Sequence, residues 1–341
     1  MKRLISLLLL LTICACLCAC GPGGTQSTDP EGTDPDDTAG QETEDSTHAT
    51  AVPGATTLNV MSFNVYSKDT NSASVADGED TDMRIKLRAP KLNDILLGEN
   101  IDIAGLQEVS AGWQNWLELA LDSAYGYVGT CTENTHEGGY IVYRKDKLTV
   151  IEDGVFWLAD GAPATSAVGW DAKYDRLCSW ALFQVNETGE YLLFMDTHLD
   201  HQGTLARAYS SKLIVEQMQS LRSAVENRYN VANCPVILTG DMNAEPKSTA
   251  YRNFTDTLVD AFHAAAKNPF EEDASTSPGL YVRSSEDAYI IDGHRIDYVF
   301  VTAENVTVST YNMIHTATNI SPYGAFISDH NAIVVQLTIE N

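Results

Sequence analysis

Several short apolar runs, spread over most of the chain, each end in residues that bind metal ions or move protons. They carry Asn64 in LNVMSFNV, Glu108 in IDIAGLQEV, His198 in LLFMDTHLD, Asp241 and Asn243 in PVILTGDMNAEP, and Asp329 with His330 in FISDHNAIVV. Runs of this length and composition read as buried β-strands. Singly each is weak. Together and in this order they describe one site built from the ends of several strands. An oxygen-rich cluster with two histidines suits a hard divalent cation and a phosphate ester.

The pattern around those runs predicts strands at 58–65, 101–107, 139–143, 148–158, 177–185, 192–197, 236–239, 295–302 and 332–339. Helices are expected at 83–98, near 113–123 and at 206–228, the first with Ile85, Leu92, Ile95 and Leu96 as its apolar face. The strands at 139–143 and 148–158 read as a hairpin around Arg144-Lys145-Asp146-Lys147. Many strands with few intervening helices argue against a simple parallel βαβ fold and for two packed sheets flanked by helices. No internal repeat is present.

The chain has 341 residues and a formal charge of −26. An acidic body repels polyanions and lowers the expectation of tight nucleic-acid binding. It does not exclude nucleic-acid cleavage, because a bound cation changes the local field. Of the seven cysteines, Cys14, Cys16, Cys18 and Cys20 crowd the N-terminus, while Cys131, Cys178 and Cys234 are scattered through the body. Three body cysteines allow at most one disulfide, and buried structural thiols are expected. Their spacing does not match a structural zinc site.

Met1-Lys2-Arg3 is a basic start, and 4–17 is an apolar run too short for a comfortable membrane span. Leu17-Cys18-Ala19-Cys20 resembles the lipobox of bacterial lipoproteins. The resemblance implies a signal peptide at 1–19, cleavage before Cys20, lipid on its sulfur, and a protein held at the extracellular face of a bacterial membrane. The stretch to residue 57 is rich in Thr, Asp, Glu, Gly and Pro and reads as a solvated tether, so 20–57 is expected to carry the folded body, 58–341.

Within the body, Gly240 permits a tight exit after Val236-Ile237-Leu238, turning Asp241 and Asn243 into one cleft. An Asp there can accept a proton from water. His198 and His201 form an HxxH, but the first ends a strand and the second falls in a loop. A single catalytic His198 is preferred over zinc, with Asp200 and His201 as supporting or substrate contacts. Asp297 lies early in the 295–302 strand. If that strand pairs with 332–339, Asp297 can accept from one ring nitrogen of His330, fix its tautomer and raise its pKa. Trp157 and Trp170 flank a loop able to form an apolar lip, although core packing is the expected role of both.

The ordered set FNV, LQEV, THLDH, GDMN, RIDYVFV and SDH resembles the endonuclease/exonuclease/phosphatase superfamily over roughly 58–337. The resemblance implies an α+β fold, a four-layer αββα sandwich of two mixed β-sheets flanked by helices. It implies a Mg²⁺-dependent hydrolase of phosphate esters, with Mn²⁺ as a substitute. Glu108 is then similar to the main metal ligand, with Asn64 and Asp329 beside it. Asp241 and Asn243 are similar to residues that position or deprotonate water, His330 with Asp297 to the His–Asp pair at the phosphate, and His198 to the second histidine. Arg176 and Arg207 are expected phosphate contacts. One cation is the default, and the oxygens present allow a second. Nucleic acid, phospholipid headgroup and sugar phosphate all stay open as substrates. The competing expectation is an inactive surface binding protein on the same scaffold, against which the intact Glu108, Asp241 and His330 argue.

Overall fold

A computed structural model describes residues 54–340, apart from 75–79, 132–137, 281–293, 318–321 and 324–325. The expected signal segment, Cys20 and nearly all of the tether lie outside the described residues. Among those described, β1 (Thr56–Asn64) leads through a small ribbon, β2 (Ala73–Ser74) with β3 (Asp80–Thr81), to α1 (Ile85–Gly98). Then come β4 (Ile103–Gln107), α2 (Ala111–Ala120), β5 (Tyr125–Cys131), β6 (Gly138–Arg144), β7 (Leu148–Trp157), β8 (Leu177–Val185) and β9 (Tyr191–His198). The long helix α3 (Thr204–Tyr229) precedes β10 (Val236–Asp241), α4 (Thr249–Thr255), β11 (Val259–Asp260) and the short α5 (Ala261–Ala264). The chain closes with β12 (Asp297–Val301), β13 (Val306–Ile314) and β14 (Ala332–Ile339).

Two six-stranded sheets result, in the orders β13-β14-β1-β4-β6-β5 and β11-β12-β10-β9-β8-β7. Leu58, Val60, Ile103, Phe183, Phe194, Ile237, Val299 and Val335 fill the space between them. The opposite face of the first sheet buries Met61, Phe63 and Ala104 under Leu92, Ile95 and Leu96 of α1 and Trp113 of α2. The opposite face of the second buries Leu193, Leu238 and Phe300 under Ile214 and Met218 of α3 and Phe254 of α4. These strands are apolar on both faces because both faces are covered, which is why they read as continuous rather than alternating runs. The fold is the expected four-layer αββα sandwich. Cys178 and Cys234 are buried free thiols, and burial pushes the Cys234 thiol up to about 12.

The hairpin expected around Arg144–Lys147 does not form. β6 lies between β4 and β5 in the first sheet, while β7 is the edge of the second and pairs with β8. Both edges of β6 are occupied because β5, whose sequence YGYVGTC hides its strand character behind two glycines, takes the edge that β7 would need. The turn therefore carries the chain from one sheet to the other.

Strand direction gathers the polar ends. β1 runs parallel to β4, and β9 parallel to β10, so Asn64, Glu108, His198 and Asp241 all emerge at carboxyl ends. β14 is antiparallel to β1 and β12 antiparallel to β10, so the segment before β14 and the first residue of β12 return to the same end. Asp241 is in register with both His198 and Asp297.

Two residues deeper, a polar belt joins the sheets. Asp196 accepts from Gln107 Nε2 at 2.6 Å and Thr239 Oγ1 at 2.7 Å, and the Gly240 amide donates to Ser62 Oγ at 3.1 Å. Burial pushes the Asp196 carboxyl up to about 8, against those two bonds. The belt closes only because residue 105 is glycine. A Cβ there would sit 2.0 Å from Thr239 Oγ1 and 2.2 Å from Asp196 Oδ1.

Candidate active site

Glu108 leaves β4 with φ 60°, in the left-handed region that non-glycine residues enter only under tertiary constraint. Its Oε2 accepts from the Ser67 amide at 2.8 Å and the Ser67 hydroxyl at 2.9 Å; its Oε1 accepts from Asn64 Nδ2 at 3.1 Å. Burial opposes ionisation, but these bonds and the nearby His330 carry the carboxyl below its usual range. Asn64 also donates to Asp241 Oδ2 at 3.0 Å, while its oxygen accepts from the Tyr66 amide. It thus ties Glu108 to Asp241 across the two sheets.

Asp329 stands in the loop before β14. Burial, then the charges of Glu108 and Asp297, push its carboxyl up to about 6 against the pull of His330. Two acidic groups that raise one another's cost of ionisation, with few donors satisfying Asp329, form a donor set suited to a hard cation. Glu108 and Asp329 therefore fit the divalent ion expected from the sequence. Asn64 is directed to bridging the carboxylates.

His330 Nδ1 lies 2.9 Å from Asp297 Oδ2, and Nε2 is 3.3 Å from Ser277 Oγ and 3.8 Å from Asp241 Oδ2. Burial would lower the imidazole pKa, but Asp297, Asp241 and Asp329 raise it well above the usual histidine range. The contact is made across the sandwich. β12 belongs to the second sheet and β14 to the first, so the strand pairing posited for these residues is absent and face-to-face packing replaces it. Asp241 is pushed up to about 7 by burial and by Asp297, with His330 opposing. Asp241, Asp297 and His330 offer ligand atoms within 4.8 Å of one another, but the short His330–Asp297 bond reads as an ion pair.

His198 differs. Burial, then the neighbouring Arg176 charge, hold its pKa well below the usual value, so the ring is neutral. Arg176 Nη1 is 3.0 Å from His198 Nδ1. A guanidinium only donates, so Nδ1 accepts and the ring proton sits on Nε2, 3.4 Å from Asp241 Oδ2. Arg176 is buried behind the histidine. Asn243, at φ 44°, donates from Nδ2 to the Leu199 carbonyl at 2.9 Å, which holds its side chain beside the His198 ring. Gly240 makes the exit from β10 at φ 158°, where a Cβ would lie 2.2 Å from the Thr197 carbonyl oxygen.

Arg207 donates to the Asp200 carbonyl at 2.9 Å and lines a cleft that begins at Asn243. Asp200 is a backbone clip, accepting from the amides of Lys173, Tyr174, Gln202 and Gly203. His201 is exposed against Tyr174 and outside the cluster, so the HxxH holds no shared ion site.

Sequence reasoning missed Ser67, Ser277 and Arg88. Arg88 lies on the apolar face of α1 and is fully buried. Its Nε donates to the Met83 carbonyl, Nη1 to those of Val65 and Ile327, and Nη2 to those of Tyr66 and Lys68, all within 2.5–3.0 Å. It pins the loop that carries Ser67 to the loop that leads to Asp329. The available signal was its position, three residues after Ile85 and four before Leu92, where an exposed arginine does not belong.

A model of the Endonuclease/Exonuclease/phosphatase family matches residues 61–330, from β1 to the histidine before β14. The chain belongs to this family. It is thereby placed among phosphoester hydrolases, in a family that is generally dependent on divalent metals. Of similar solved structures, a member of this family from Bacteroides thetaiotaomicron is 27% identical, covering 85% of this chain and 97% of that one, with a TM-score of 0.68. A mannosyl-6-phosphatase from the same organism is 26% identical, covering 82% and 99%, with a TM-score of 0.64. Nocturnin from Xenopus laevis is 23% identical over 304 residues, which span 82% of this chain and 71% of nocturnin.

Proposed function

We propose that the protein is a Mg²⁺-dependent phosphatase of phosphorylated sugars, exported and held at the outer face of a bacterial membrane by lipid on Cys20. The observation that carries the phosphatase reading is Asp241 flanked at one sheet end by the cationic His330–Asp297 pair and the acidic Glu108–Asp329 pair. The likeness to a mannosyl-6-phosphatase over nearly all of that chain supports a sugar phosphate over nucleic acid, and so does the charge of −26.

In this reading Asp241 takes the proton of the attacking water, with an acidity suited to work near neutral pH. His330 is held cationic by Asp297 and stabilises charge on the phosphoryl oxygens. Asn243 and the Nε2 proton of His198 orient the phosphate and water. Glu108 and Asp329 would hold a divalent cation, which would supply positive charge to the phosphoryl group.

The direct test is hydrolysis of hexose phosphates, glycerol phosphate, DNA, RNA and phospholipids with and without EDTA. Hexose phosphate should be the best substrate, EDTA should abolish turnover, and Mg²⁺ or Mn²⁺ should restore it. Glu108→Gln should raise the Mg²⁺ needed for half-maximal rate by about 10-fold or more. Restoration by Zn²⁺ alone would overturn the oxygen-ligand assignment.

Asp297→Asn removes the carboxylate that keeps His330 charged. The histidine then loses its proton at lower pH, so the basic limb of the pH–rate profile should move to lower pH, with a loss on the order of 10-fold at its optimum. An unmoved basic limb would exclude the pairing from the chemistry. For the anchor, Cys20→Ser expressed in a bacterial host should lose incorporation of labelled fatty acid, and unchanged labelling would reject Cys20 as the site.

A further inference from the structure

A cleft of about 730 Å³ leaves the catalytic cluster at Asn243 and runs between the first turns of α3 and the 243–253 segment. Arg207, Tyr209, Lys212, Glu245, Ser248 and Asn253 line it; Glu108, Asp329 and His330 do not. Its size is that of a small-molecule site. At its wall Tyr209 stacks on Trp170, ring centroids 5.3 Å apart and planes 24° apart. Both rings are open to solvent, at 49% and 39% exposure. Trp157, the other residue considered for an apolar lip, is buried.

The loop bearing Trp170 is built onto α3. Asp171 accepts from the amides of Leu205 and Ala206, at 3.2 and 2.6 Å, which fixes the segment at the head of the helix. A Cβ on Gly169 would lie 2.2 Å from the Leu158 carbonyl oxygen, so the backbone turns there at closest approach. Two large rings are thus held in the open by rigid supports.

We infer that this cleft is the subsite for the carbohydrate of the substrate, with a sugar ring lying against Tyr209 while its phosphate ester reaches Asp241 past Asn243. Aliphatic C–H faces of a pyranose pack on an aromatic ring, and its hydroxyls need mixed donors and acceptors. Asn253, whose amide nitrogen is spent on the Ala208 carbonyl and Ser211 Oγ, leaves its oxygen as an acceptor; Ser248 has a hydroxyl to donate, Arg207 and Lys212 donate, and Glu245 accepts. A carboxylate beside the groove disfavours a polyphosphate or nucleic-acid strand, and the polar lining disfavours an acyl chain. The inference rests on the sugar-phosphate reading above and names where the sugar binds.

Two measurements on the full chain test it. The first compares hexose 6-phosphate with glycerol 3-phosphate in the presence of Mg²⁺. Tyr209→Ala and Trp170→Ala should each raise KM for hexose phosphate by about 10-fold, with kcat changed little and a clearly smaller effect on glycerol phosphate. Equal losses on both substrates would overturn the inference while leaving the phosphatase reading intact. The second needs no turnover. Titration with hexose 6-phosphate should change tryptophan fluorescence, and Trp170→Phe should remove the change, whereas inorganic phosphate should give little. A signal from phosphate equal to that from hexose phosphate would also overturn it. So would tighter binding of a nucleoside monophosphate with the same dependence on Tyr209, which would assign the cleft to a base.

Discussion

His330→Gln is expected to lower kcat by about 10³-fold or more, because it removes one preorganised charge from a buried site. Glutamine is the informative replacement. It retains a donor toward Asp297, which is fully buried, meets His330 through Oδ2 and has no hydrogen-bond partner at Oδ1 among the described residues. Alanine would leave that carboxylate uncompensated and cost about 3–5 kcal/mol of stability, confounding folding with chemistry. Asp241→Asn should give a loss of similar size. The amide oxygen can still accept from one of the two present donors, Asn64 Nδ2 at 3.0 Å or the Asn243 backbone N–H at 2.9 Å, but not from both, and it cannot accept the proton of water. If both residues act in one step, the double variant should be little worse than either single one. Full-length protein with an unchanged melting temperature and a loss below about ten-fold would remove His330 from the chemistry.

Arg88→Met should be the most damaging substitution away from the reacting groups. Its guanidinium spends every donor on backbone carbonyls of the loops around Ser67 and Ile327. Burial lowers its pKa to about 10, with Asp329 and Asp69 among the charges that keep it protonated. Methionine fills the volume but removes the donors; the Tyr66 carbonyl keeps the Trp113 indole at 3.1 Å, and each buried carbonyl left without a partner costs about 1–3 kcal/mol, with two or three of them so left. A total of about 4 kcal/mol lowers Tm by roughly 10 °C in a domain of this size. The same loops hold Ser67 against Glu108 and bring in Asp329, so Mn²⁺ affinity, read by paramagnetic relaxation, should fall about 10-fold. Arg88→Lys keeps the charge with fewer donors and should fall between. A melting temperature unchanged in Arg88→Met would show that the loops hold themselves.

The strands that carry the site were legible because each is buried on both faces. Val60-Met61, Ile103-Ala104, Leu193-Phe194 and Ile237-Leu238 leave no alternation to misread, and a polar residue after such a run marks where the strand leaves the core. α1 and α3 were legible for the same reason, with ends displaced by two residues at most at either terminus. β5 was not, since its glycines and half-exposed residues depend on a neighbour for their pairing, and with it went the correct partner of β6. β13 was passed over as well, being exposed at several positions along an edge.

Residue order along the chain was enough to specify the layered fold and the list of acids, amides and histidines that gather at one end of it, because burial periodicity and side-chain chemistry are local properties. Contacts between the two sheets are not local. Packing of one sheet on the other decided that Asp297 meets His330 although their strands do not pair, that Arg176 rather than a carboxylate stands behind His198, and that Arg88 is spent on carbonyls. It also decided that Trp170 is held in the open against Tyr209 while Trp157 is buried. Each of these depends on residues far apart in the chain meeting at angstrom distances, and that information exists only once the sandwich has closed.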